Sequence, residues 1–125
     1  MSKRVAWSAE HDAVDALLAR EWLITNGLGG YASGTLAGVP TRRYHGLLIA
    51  ALPNPLGRTM MFNQLSERIT LADGSRHWIG GFERDSALDV SGLECLREIR
   101  LEQGLPVWLY EVGDVWIERR VLFAH

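Results

Sequence analysis

The side chains best equipped for chemistry are crowded into one short run. Thr41-Arg42-Arg43-Tyr44-His45-Gly46 sets a hydroxyl, two guanidinium groups, a phenol and an imidazole at consecutive positions. If the run is a strand, Arg43 and His45 share one face while Arg42 and Tyr44 share the other. One face would then offer a fork of donors beside an aromatic ring, a combination suited to gripping a sugar by hydrogen bonds and ring stacking. The plainer alternative is equally open: one arginine forms a structural ion pair and His45 is a buried, satisfied histidine.

Other chemistries find little support. Glycoside hydrolysis needs two carboxyl groups facing each other at a set separation. Glu67, Asp73, Glu83, Asp85, Asp89, Glu94, Glu98 and Glu118 qualify by type alone, because none sits in a setting that the sequence marks as unusual. The single Cys95 falls in a strand pattern and cannot form an internal disulfide, and Ser33 lies in no nucleophile-elbow motif. His11, His45, His77 and His125 lack metal-ligand spacing, so no metal or cofactor is expected. Gly27-Leu28-Gly29-Gly30-Tyr31-Ala32 matches the loose form of a dinucleotide fingerprint. However, Ser33-Gly34-Thr35, Gly38 and Pro40 would not sustain the helix that must hold the pyrophosphate, and no acid follows about 20 residues on for the ribose. A tight bend in a β-sandwich explains these glycines more simply.

The run belongs to a longer segment, Glu21 to Leu52, that holds six of the thirteen glycines. No carboxylate occurs between Glu21 and Glu67. Tyr31, Arg42, Tyr44 and His45 therefore read as donors and stacking faces with no acid to neutralise them, on a surface built against something polar and uncharged or against another domain. The chain as a whole has 125 residues, 47% hydrophobic and 22% charged, enough for one domain with one core. A net charge of −2 without a long basic run disfavours nucleic acid as a partner. The N-terminal MSKRVAW has no apolar signal region, and no apolar stretch reaches membrane-spanning length, so a soluble, cytoplasmic chain without membrane attachment is expected.

Elements must position these groups. Ser8 to Arg20 reads as a short helix with Ser8 as its cap and Val14, Leu17 and Leu18 on one face. From Glu21 the pattern is β. Trp22 to Thr25 is a strand stopped by Asn26-Gly27, and Tyr44 to Leu52 is a second. Arg58 to Ala72 follows with Met60, Phe62, Leu65, Ile69 and Leu71 inward. Asp73-Gly74 then turns the chain into Arg76 to Ile79, and Gly80 to Gly92 reads as loop. Leu93, Cys95, Arg97, Ile99 and Leu101 alternate with Glu94, Leu96, Glu98, Arg100 and Glu102, and turns at Gln103-Gly104 and Gly113-Asp114 complete an antiparallel meander ending near Phe123. Large residues on both faces of Val107 to Val112 predict a sheet covered on both sides. The fold class expected is a mainly β, antiparallel sandwich with a short N-terminal helix. A last strand running out at the C-terminus suggests one piece of a longer protein.

The central segment also carries a family resemblance. EWL-x-TNG-x-GGY-x-SGT followed by G-x-x-TRRYHGLL resembles the opening of the N-terminal domain of bacterial and archaeal-type glycogen debranching enzymes, the amylo-α-1,6-glucosidase family. Weaker similarity continues through Pro55-Leu56-Gly57-Arg58 to Glu118-Arg119-Arg120. The resemblance implies a large β-sandwich set ahead of an (α/α) helical barrel that bears the catalytic acids and hydrolyses α-1,6 branch points. Residues 1–125 would then be a single, incomplete N-terminal sandwich domain without the barrel, inactive alone, whose partners are α-glucan (glycogen, maltooligosaccharide) and the C-terminal catalytic domain. Asn26, Tyr31, Thr41, Arg42, Arg43, Tyr44 and His45 would line the sugar site or lock the two domains together. The alternative is a stand-alone carbohydrate-binding or interaction module without hydrolase activity.

Overall fold

The computed structural model describes residues 2–5, 14–84 and 87–123. It is mainly β, with three antiparallel sheets and one short helix, consistent with a sandwich. The first sheet has the order β1 (Ser2–Val5), β9 (Leu96–Glu102), β10 (Leu105–Val112), β11 (Val115–Arg120). The second runs β2 (Glu21–Thr25), β3 (Tyr31–Thr35), β4 (Gly46–Leu52), β5 (Gly57–Phe62). The third comprises β6 (Glu67–Thr70), β7 (Arg76–Arg84) and β8 (Ala87–Gly92).

The meander in the last third forms as its turn chemistry predicts. Gln103 and Gly104 both take positive φ, 51° and 82°, the geometry that matches the right-handed twist of paired strands. Its inner face differs from the simple alternation expected. Trp108 pairs with Ile99 and Leu109 with Glu98, but Tyr110 pairs with Leu96, so β9 carries an extra residue at that point. This bulge turns Leu96 inward beside Ile99, while Cys95 is displaced into a single 3₁₀ turn, Leu93–Cys95.

Two tryptophans join the first and second sheets. Every other residue of β2 is buried, so Trp22 and Ile24 point inward while Glu21, Leu23 and Thr25 point out. The Trp22 ring meets Trp108 of β10 edge-on, with centroids 5.7 Å apart. Both indole N–H groups are satisfied by neighbouring carbonyls: Trp22 donates to Thr35 O (3.1 Å) and Trp108 to Leu36 O (2.8 Å). Such pairing matters because an unpaired buried donor costs about 1–3 kcal/mol. Gly34 makes room for this arrangement, since a Cβ there would lie 3.2 Å from the Trp22 indole nitrogen. Leu17 of α1 (Val14–Ala19) and Leu96, Ile99, Tyr110 and Val112 complete the centre of the core. The Tyr110 hydroxyl is buried without a partner among the described residues, and burial pushes its phenol well above the usual range.

Several expectations need correction. The helix is present as Val14–Ala19, and the expected cap Ser8 lies outside the described residues. Gly80 to Gly92 is not loop: it supplies the end of β7 and all of β8. Its glycines and scattered charges imitate a linker, but a glycine in a strand often marks an irregular pairing, and the register shifts between Gly80 and Phe82. Arg58 to Ala72 is two strands, not one. Met60, Phe62 and Leu65 are exposed there, whereas Ile69 and Leu71 do pack against the core.

Candidate functional site

The turn between β2 and β3 sets one end of the site. Asn26 accepts from Leu28 N (2.8 Å) and Gly30 N (3.0 Å) through Oδ1, while its own N–H donates to Gly30 O (3.2 Å). An asparagine used in this way mimics a backbone turn. Gly27 and Gly29 take positive φ, 75° and 90°, which a side-chain-bearing residue adopts only with strain. The Asn26 side chain is thus committed to shaping the bend, and the chain leaves it as strand β3. No helix follows the glycines, so the dinucleotide reading falls.

Residues 41 to 45 form a turn, which overturns their assignment to a strand. His45 N donates to Arg42 O (3.0 Å), and the fully buried His45 ring accepts the N–H groups of Thr41 (2.9 Å) and Arg42 (3.1 Å) on Nδ1. The imidazole captures two backbone donors that a sheet ladder would otherwise need. Their direction also fixes the tautomer, leaving the hydrogen on Nε2. The predicted pairing of faces does not hold, but Arg42 and Tyr44 nevertheless come together, on a carboxylate.

That carboxylate is Glu21, the outward-facing first residue of β2. Arg42 Nε donates to Oε1 at 2.7 Å, and the Tyr44 hydroxyl stands 3.1 Å from Oε1 and 3.0 Å from Oε2. His45 Nε2 points at Oε2 from 3.4 Å, a contact too long to satisfy that buried N–H fully. The segment is therefore not free of acid: the one carboxylate at its start neutralises Arg42 across the turn. Partial desolvation pushes the Glu21 carboxyl up, but hydrogen bonds from Tyr44 and Arg42, with the His45 N–H nearby, outweigh this and hold it below the usual range. For Tyr44, desolvation and the bond to Glu21 raise the phenol.

These groups border an open cleft of about 530 Å³ on the outer face of the second sheet. Leu23, Thr25, Tyr31 and Ser33 form its floor, Gly27, Gly29 and Gly30 one end, and Glu21, Tyr44 and Arg58 its rim. The Tyr31 hydroxyl donates to Tyr44 O (3.1 Å) and ties floor to rim. Arg58 Nε donates to Gly29 O (2.9 Å), which leaves its terminal nitrogens toward solvent. Of the seven residues singled out by sequence, Tyr31 and Tyr44 line the cleft. Arg42 and His45 stand behind it on Glu21, and Asn26 and Thr41 serve the backbone. Arg43 is exposed and adds no side-chain bond to the cluster. Glu21, Leu23 and Arg58 were missed as site residues. Their partners lie 21 to 29 positions away in sequence, although the outward placement of Glu21 and Leu23 follows from the alternation of β2.

Among the described residues no group of three His, Cys, Asp or Glu side chains could hold a metal ion, and no helix is long and apolar enough to cross a membrane. A family profile described as "Glycogen debranching enzyme N terminal" matches residues 20–125. The chain belongs to this family. The match takes in every residue of the cleft and the whole meander, and it assigns residues 20–125 to the N-terminal part of glycogen debranching enzymes. Neither curated proteins nor solved structures give a significant match.

Proposed function

We propose that this domain is the non-catalytic N-terminal part of an amylo-α-1,6-glucosidase and that its cleft contacts the α-glucan. The observation that carries the reading is the cleft itself. Its volume falls in the range of small-molecule sites, Leu23 and Tyr31 give its floor an apolar and an aromatic surface, and a few fixed polar groups stand at the rim. Sugar rings present CH faces and hydroxyl edges, and that combination meets both. Hydrolysis is assigned to another part of the parent protein, because Glu21 is the only carboxylate among the described lining residues and the reaction needs a facing pair.

A second reading has its own support. Leu56 in the turn before β5, Met60, Met61 and Phe62 along it and Leu65 after it are exposed, a set of large apolar side chains that a second surface would cover. On that reading the second sheet docks the helical catalytic domain of the parent. Calorimetric titration of linear and branched maltooligosaccharides, with ultracentrifugation in parallel, separates the two. Glucan contact predicts weak, salt-insensitive binding, since the ligand is neutral, and a loss of about tenfold in Tyr31→Ala, which removes the ring from the floor. No heat of binding, together with self-association that Phe62→Lys relieves, would replace glucan contact with docking.

A further inference from the structure

We propose that Glu21 is itself a sugar-binding residue, its Oε2 accepting a hydroxyl from a neutral glucose unit seated over Leu23 and Tyr31. The inference rests on the cleft being a glucan site and goes further by naming the acceptor and what holds it in place. Glu21 lines the cleft, and its side chain is 30% exposed, so a ligand can reach it.

A carboxylate offers about four lone-pair positions. Arg42 Nε takes one on Oε1 at 2.7 Å. The Tyr44 hydroxyl carries a single hydrogen yet lies almost equally far from both oxygens, so it satisfies one at a time. His45 Nε2 stands 3.4 Å from Oε2, and the ring is anchored on its Nδ1 by Thr41 N and Arg42 N. Oε2 is the under-satisfied oxygen of the pair, and it belongs to a group that faces the cleft.

Arg42, Tyr44 and His45 act as positioning residues. They fix the carboxylate before any ligand arrives, which lowers the ordering cost of binding. They also set the ligand class. Glu21 repels an anion, while Arg42 beside it disfavours a cation. A neutral hydroxyl fits both, donating to Oε2 and leaving its own oxygen free for a donor on the rim. The exposed Leu23 side chain and the Tyr31 ring give the apolar face of a sugar ring its seat.

The test measures maltotriose affinity of the full chain and of three variants, with circular dichroism to follow folding. Glu21→Gln should weaken binding about tenfold or more, because a hydrogen bond to a charged partner is lost. Tyr44→Phe should weaken binding less than Glu21→Gln, since it removes one of the groups that position the carboxylate but also a competitor for Oε2. Glu118→Gln, on the opposite sheet, should change nothing. Binding by the parent that Glu21→Gln leaves intact would overturn the role of Glu21 while keeping the cleft as a glucan site. A loss of about tenfold in Tyr44→Phe would make Glu21 a mere support for Tyr44, and this arm decides the matter if Glu21→Gln does not fold. A parent that binds no maltotriose would remove both the site and the inference.

Discussion

On the outside of the first sheet, Arg100 of β9 reaches Glu118 (2.6 Å), Glu98 (3.3 Å) and Glu102 (3.8 Å), and Arg120 of β11 pairs with Glu102 and Glu118. Val107 sits between the two arginines in register and is only 1% exposed. On the outside of the second sheet Leu23, on the edge strand β2, is 60% exposed, with no such ladder over it among the described residues. Eight of the large apolar side chains exposed among the described residues, from Leu23 to Leu65, lie in or beside that sheet. Strand β2 alternates as regularly as β10, so alternation alone does not decide the fate of a face. Charge placed at every second position across neighbouring strands finishes a face against water. Its absence leaves a face open to a ligand or another surface.

The comparison depends on the two sheets being backed onto one core, and the strongest way to break it is Trp108→Ala. Removing a fully buried indole that contacts Trp22 and donates to Leu36 O should cost about 3–5 kcal/mol, read as a fall in the denaturation midpoint in urea. A smaller effect is expected from Arg100→Ala, which removes a side chain that is 17% exposed and bridges three carboxylates. Leaving like charges across the ladder should destabilise by about 1–2 kcal/mol, and the difference from the parent should shrink in high salt. If salt has no influence, the ladder is decoration and the contrast between the faces loses its physical basis.

The mildest prediction concerns acid. The carboxyl of Glu21 lies below its usual value of 4.5 in the folded chain. A lowered value means that its contribution is complete above pH 4.5 and is lost only as pH falls through the lower folded value. Tyrosine absorption should therefore stay constant from neutrality to the usual carboxyl range and change below it as Tyr44 loses its acceptor. The change should vanish in Tyr44→Phe. A transition centred above pH 4.5 would contradict the hydrogen bonding around Glu21.

Much of the fold could be read from the residues because its signals are local. Asp73-Gly74, Gln103-Gly104 and Gly113-Asp114 carry the turns, and the strands they join appear with the expected pairing. The strand β8 was hidden because Ala87-Leu88-Asp89-Val90-Ser91-Gly92 has one charge, one glycine and little alternation. The bulge on β9 was hidden too, since it arises from pairing with β10 and not from composition. In the site, Tyr31 and Tyr44 could be found by type. The turn at residues 41–45 could not, because it depends on an imidazole reaching back four residues for Thr41 N. The position of Glu21 followed from β2, but its bonds to Arg42 and Tyr44 cross between strand and turn, a relation that a periodic pattern does not contain.

The edge-on pair of Trp22 and Trp108 has a further consequence. Each ring belongs to a different sheet, and each N–H is fixed on an adjacent carbonyl of the same short segment, Thr35 and Leu36. Trp78 and Trp116, by contrast, are exposed at the surface. The molecule therefore carries its own optical gauge: emission from the buried pair reports the spacing of the two layers, while Trp78, under the Arg68 guanidinium, and Trp116 report the surface. A ligand entering the cleft over Leu23 presses on the strand whose other side holds Trp22. Occupancy of the outer face can thus be followed from within, without a label.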